Sequence, residues 1–197
     1  GLFKWQGPTN PATGEPSGIA VLHVDDCLFS GDASFFEHFV QKGLRSIFPF
    51  GPRENAAIDN GVRYTGLQIF NGDDGVAIGQ QAYIEGIKPV PIDPKRRDQE
   101  ELTEEENDAF RPLLGAIQWA VQRTRPDQAI FAMRAAQSGS QGDKRTVLDM
   151  RTLNKTARRL QYTASTGIGL PRLSASKKRI LVLSDASFSR ESGLKSQ

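Results

Sequence analysis

Hydrophobic positions along the chain fall into blocks of two different periods. Leu2, Phe3 and Trp5 open a short apolar run, and Ile19-Ala-Val-Leu22 forms a second. Both read as strands, joined by a Pro/Gly/Asn-rich loop from Gly7 to Ser17. The next turn falls at 24–26 and the chain returns as a strand over 27–30. Phe35, Phe36, Phe39, Val40, Leu44 and Ile47 then recur at helical spacing. Ser34 and Glu37 in front of them match a capping box, and Pro49 to Pro52 ends that helix. Strand patterning resumes at 62–70 and 76–79, around the turn-forming Asn71-Gly-Asp-Asp-Gly75, which predicts a hairpin. A short helix is expected over 82–87, followed by a Pro-rich charged connector from Pro89 to Glu101. Thr103 and Glu106 form a second capping box. Three helical pieces follow, near 104–122, 127–137 and 144–164. Pro112 is expected to kink or divide the first of them. Gly139 and Gly142 separate the later two, and Gly167 and Gly169 close the third. Lys178–Ser184 reads as a last strand, ending at Asp185.

One block breaks its own pattern. The apolar run Ile19-Ala-Val-Leu-His-Val-Asp-Asp-Cys-Leu-Phe-Ser30 carries adjacent carboxylates, Asp25 and Asp26, at its centre. Burying an unpaired carboxylate costs more than packing returns, so such a break marks a place to look for function. A tight turn would lift both carboxylates to the end of a hairpin, where they could hold a divalent metal. On these residues alone, solvated turn carboxylates remain the alternative.

Composition narrows the class. At 197 residues the chain suits one or two domains, and 38% hydrophobic with 24% charged residues is globular. The single cysteine, Cys27, excludes an intramolecular disulfide framework and fits a reducing, intracellular compartment. It reads as a small buried hydrophobe, and the eleven Phe with Trp5 and Trp119 read as core. No apolar run is long enough to span a bilayer. The first residues read as if already inside a strand, so the chain is expected to be an excerpt of something longer.

Charge adds a polarity that the overall +2 conceals. Residues 1–110 carry nine basic against eighteen acidic side chains, and residues 111–181 carry fourteen against three. The basic block is large enough to be a polyanion footprint, or else the solvated faces of helices docked on an acidic unit. Two histidines and one cysteine leave little for a hydrolase triad, and His23, Cys27 and His38 do not make a zinc site. Arg125, just before Pro126-Asp127, reads as a structural ion-pair or capping group.

Five ordered segments carry a resemblance. His23-Val-Asp-Asp26 resembles the Tyr-x-Asp-Asp hairpin of reverse transcriptases, with His where the family has Tyr. Tyr64-Thr-Gly-Leu-Gln-Ile69, Val76-Ala-Ile-Gly-Gln80 and Tyr83-Ile84 resemble the Phe-Leu-Gly-Ile, turn and Ser-Gln-x-x-Tyr pattern of copia-type LTR retrotransposons. Phe110-Arg-Pro-Leu-Leu-Gly115, Ala120, Thr124-Arg-Pro-Asp127 and Phe131-Ala132 are similar to the family's Tyr-Arg-x-x-x-Gly and Thr-Arg-Pro-Asp-x-x-Phe-Ala stretch. Arg158-Arg-Leu-Gln-Tyr162 with Thr166 and Gly169-Leu170 resembles its Arg-Leu-Arg-Tyr-Leu helix, and Leu183-Ser-Asp-Ala186 the opening of its ribonuclease H domain.

The resemblance implies an α+β fold: an antiparallel palm sheet with packed helices, a helical thumb, and the first strand of a ribonuclease H-like domain. The corresponding spans are 1–88 for the partial palm with a primer-grip-like hairpin, 89–172 for the thumb and 173–197 for the ribonuclease H start. It implies RNA-directed DNA polymerase activity by two-metal nucleotidyl transfer, exercised by a longer polyprotein on a template–primer duplex and dNTP. Asp25 and Asp26 would be the catalytic metal ligands for Mg2+, and Asp185 a ligand of the ribonuclease H site. His23, Gln80, Tyr83, Lys155, Arg158 and Arg159 would meet nucleic acid. The family's third palm aspartate and its fingers have no counterpart in these residues, so the metal site is expected to be incomplete. The other reading is a decayed or domesticated fragment acting as a non-catalytic structural or binding subunit of some protein assembly.

Overall fold

A computed structural model describes residues 2–5, 18–57, 60–139 and 144–172. Strands β1 (Leu2–Trp5), β2 (Gly18–His23) and β3 (Asp26–Gly31) form an antiparallel sheet in that order. The β2–β3 register pairs His23 with Asp26, so only Val24 and Asp25 make the turn. The expected antiparallel pair is present, and Asp26 belongs to the strand rather than to the turn.

A helical segment follows, made of α1 (Ala33–Phe35), a π-helical stretch (Phe36–Leu44) and α2 (Arg45–Ile47). It buries Phe35 and Val40 against Ala20, with Leu22, Phe29, Phe36 and Phe39 packed around them. A Cβ at Gly18 would lie 2.1 Å from the Phe35 ring, so glycine there lets the ring reach the sheet. The cap differs from the expected Ser34–Glu37 box. Asp32 is the N-cap, and its carboxylate accepts from the Phe35 amide at 2.8 Å. Starting the helix two residues earlier brings Phe35 over Gly18, while Glu37 is left to pair with Lys42 at 2.8 Å.

The second sheet has the order β4 (Val62–Tyr64), β5 (Leu67–Gly72), β6 (Gly75–Gly79) and β7 (Ile168–Pro171), all antiparallel. The expected single strand over 62–70 is split by a turn at Thr65 and Gly66, with φ of 49° and 79°. β7 was not expected. Gly167 and Gly169 do not simply close a helix but lead into and lie on this strand, which returns from the helical unit to pair with β6.

The helical unit comprises α4 (Glu104–Arg123), a 3-10 turn (Pro126–Gln128), α5 (Ala129–Gln137) and α6 (Val147–Tyr162). The Thr103–Glu106 capping box forms as expected, and α6 carries a similar one between Thr146 and Asp149. α4 runs unbroken through Pro112, correcting the expected division. The proline forfeits one backbone bond, but the buried stripe Phe110, Leu113, Ile117, Ala120 and Val121 continues across it and holds the helix. Among the described residues this unit contains the larger core, joined by Met150, Leu153, Ala157 and Leu160 from α6. Ile84 of α3 (Gln81–Glu85) and Ile87 belong to the same core, whereas the Phe35 core draws on residues no later than Val40.

The charged connector is tied down rather than free. Both polar ends of the Asn154 side chain bond the backbone of Val90, at 2.8 and 2.7 Å. Arg151 donates to Asp98 and to the carbonyls of Asp93, Pro94 and Arg96. The fold is therefore mixed, with antiparallel sheets and several helices, as an α+β class requires. Among the described residues no helix is long and apolar enough to cross a membrane. The expected strand 178–184, Asp185 and the whole 173–197 unit lie outside the described residues.

Candidate functional site

The β2–β3 turn presents its charged groups to solvent: His23, Asp25 and Asp26 are all exposed. Val24 between them is 91% exposed and has φ of 54°. A β-branched residue with positive φ is a backbone outlier, of the kind that costs about 1–3 kcal/mol and persists only where its surroundings hold it. The tip is thus a strained turn that carries two adjacent carboxylates out of an apolar strand pair.

The carboxylates open onto a cleft of about 840 Å³ between the two sheets. Its walls come from β3, from the stretch after α2, and from β4, with cations at Arg45, Arg53 and Arg63. Arg45 donates to the Gly51 carbonyl at 3.2 Å, and the Arg53 guanidinium lies 4.2 Å from the centre of the Phe36 ring. Tyr64 projects from β4 into the same space. Its hydroxyl is buried and has no hydrogen-bond partner among the described residues. Burial raises the Tyr64 phenol above its ordinary value, and the nearby Cys27 and Asp26 add to the effect. Cys27 is half-buried rather than a core residue, and burial, then Asp26, raises its thiol.

In kind, these groups fit a hydrated Mg2+. Carboxylate oxygens are the donors a hard cation takes, and the Tyr64 hydroxyl, from a residue lining the same cleft, is a polar atom without a partner among the described residues. Among the described residues no third His, Cys, Asp or Glu joins the pair to complete a metal cluster.

The other expected contact residues are placed unequally. Gln80 is 2% exposed, its Oε1 accepting from the Thr124 hydroxyl at 2.9 Å. That moves it from the expected nucleic-acid surface into a buried joint between the second sheet and α4. The Tyr83 hydroxyl donates to the Ala116 carbonyl at 3.2 Å, leaving the ring 38% exposed. Lys155, Arg158 and Arg159 do share one exposed face of α6, opposite its buried Leu153, Ala157 and Leu160. The Arg159 guanidinium lies 5.5 Å from the centre of the Phe131 ring. Arg125 is structural, as expected: 2% exposed, bonded through two nitrogens to Asp127 and also to Thr163.

No family model, no curated protein and no solved structure matches this chain. The aromatics fill the core less than expected: among the described ones only Phe35 and Phe110 are buried, and Phe48 is 54% exposed. Trp119 is half-buried under the Arg123 guanidinium, 4.5 Å from its ring centre. Sequence reasoning missed Tyr64, which read as packing. The available signal was the hydroxyl itself, standing where the resembled motif has Phe.

Proposed function

We infer that this chain is the second half of a reverse-transcriptase palm followed by its thumb, from a copia-type retrotransposon polyprotein. The observation that carries the reading is the strained two-residue turn that presents Asp25 and Asp26 at the mouth of a cation-lined cleft. Ordinary surface turns have no need of a β-branched residue at positive φ or of paired carboxylates facing a cleft. In the intact parent the reaction is RNA-directed DNA synthesis. Bound Mg2+ supplies the charge that activates the primer 3′-hydroxyl and steadies the leaving pyrophosphate.

The residues of this chain bind and orient. Asp25 and Asp26 provide oxygen ligands at the primer end, and the α6 face of Lys155, Arg158 and Arg159 provides phosphate contacts that give affinity without reading sequence. The second sheet is the primer-grip-like wall of the cleft.

The test is Mn2+ titration of the amide NMR spectrum, with the paramagnetic ion standing in for Mg2+. Broadening is expected to start at residues 23–27 and to vanish in the Asp25→Asn/Asp26→Asn double variant. Broadening that starts at the acidic first turn of α4, or that survives the double substitution, contradicts the reading.

A further inference from the structure

The Tyr64 hydroxyl is buried without a partner among the described residues. A buried hydroxyl without a partner forfeits about 1–3 kcal/mol relative to one that is hydrogen-bonded. A phenylalanine would fill the same space at no such cost. Tyr64 lines the cleft onto which Asp26 also opens, and β4, which carries Tyr64, adjoins β3, which carries Asp26. Asp26 is exposed and so free to turn. Each carboxylate oxygen has a second lone pair that a bound cation leaves unused, and carboxylate ligands are generally held by a hydrogen-bond donor on that side.

We propose that the Tyr64 hydroxyl is a positioning residue for the metal site, donating a hydrogen bond to the Asp26 carboxylate when that carboxylate holds a divalent cation. The assignment rests on the reading of Asp25 and Asp26 as metal ligands. It explains why this strand keeps a tyrosine whose oxygen is idle in the absence of a ligand. The bond would restrict Asp26 to the rotamer that faces the cleft, so that its remaining lone pairs are held in place for the cation. Tyr64 touches neither the primer nor the nucleotide in this role; it acts through Asp26.

The experiment compares Mn2+ dissociation constants, from the electron paramagnetic resonance signal of the free ion, for the full chain and its Tyr64→Phe and Asp26→Asn variants. Thermal melts are run in parallel without metal. Tyr64→Phe is expected to weaken Mn2+ binding about tenfold or more, in line with the loss of partners that orient ligands. Its melting temperature without metal should be unchanged or slightly higher, because an idle buried hydroxyl has been removed. Asp26→Asn should lose binding at the tip altogether. Wild-type binding with an unchanged constant in Tyr64→Phe overturns the role of Tyr64 alone. Absence of Mn2+ binding by the wild-type chain overturns the metal reading, and the proposal with it.

Discussion

Asp127→Ala is expected to destabilise the chain by about 2–3 kcal/mol, seen as a drop of about 1 M in the urea midpoint for a protein of this size. The Arg125 guanidinium is 2% exposed and donates to both Asp127 oxygens, at 2.9 and 2.8 Å. It also donates to the carbonyl and hydroxyl of Thr163, at 2.9 and 2.8 Å. Removing Asp127 leaves a buried charge without its counterion, a change that costs roughly 3–5 kcal/mol when both partners are enclosed. Asp127 is itself 50% exposed, so water reaches that side and the expected cost falls to the lower end. Arg125→Met removes the charge along with its bonds, and should therefore cost no more than Asp127→Ala.

The pair also has a pH signature. The hydrogen bond from Arg125, helped by Gln128, holds the Asp127 carboxyl down at about 2, against roughly 3.9 in an unfolded chain. A carboxyl depressed in the folded state contributes its stability above the unfolded value and loses it as pH falls through the folded one. The stability gap between wild type and Asp127→Ala should accordingly be flat from pH 7 to pH 5 and shrink between about pH 4 and pH 2. A gap that keeps its size at pH 2 would show that Arg125 is held by something other than this ion pair.

The second large effect concerns the basic face of α6. Replacing Lys155, Arg158 and Arg159 together by Glu is expected to weaken binding to an RNA–DNA duplex by at least about a hundredfold at 0.1 M salt. Each phosphate contact releases counterions and adds about 0.9 to the slope of log affinity against log salt, so the slope should fall by about two to three units. All three side chains are exposed, and none pairs with a carboxylate among the described residues, so the charges are free to meet phosphate. Fluorescence anisotropy across a salt series measures both numbers. An unchanged slope would mean that this face is merely solvated.

Legibility in the sequence followed the physics of each element. The β2–β3 hairpin, the Thr103–Glu106 box and the α4 and α6 stripes were readable because local chemistry and burial agree there. Asp32 was missed because two good capping residues lie close together, and only the fit of Phe35 over Gly18 chooses between them. β7 was missed because its existence depends on β6, about ninety residues earlier, and its own Ile-Gly-Leu-Pro run carries no strand alternation. Pro112 misled because a single lost backbone bond is weaker than five buried side chains. In the site, the carboxylate pair stood out as a charge placed against its strand. Gln80 failed as a surface residue because its burial is set by Thr124 across a tertiary contact. The Tyr64 hydroxyl lay hidden because a phenol at a half-buried strand position looks like packing until its oxygen is found without a partner.

The central claim is that Asp25 and Asp26 stand at the primer end of a template–primer duplex. It is tested most directly by photo-crosslinking from the 3′-terminal nucleotide of a primer annealed to an RNA template, with the crosslinked peptides identified by mass spectrometry. If the claim holds, crosslinks concentrate on residues 23–27 and on the facing wall at 62–66, and they disperse when the photoprobe is moved ten nucleotides into the duplex. Terminal crosslinks spread along α4, α5 and α6, with none at the hairpin tip, would contradict it.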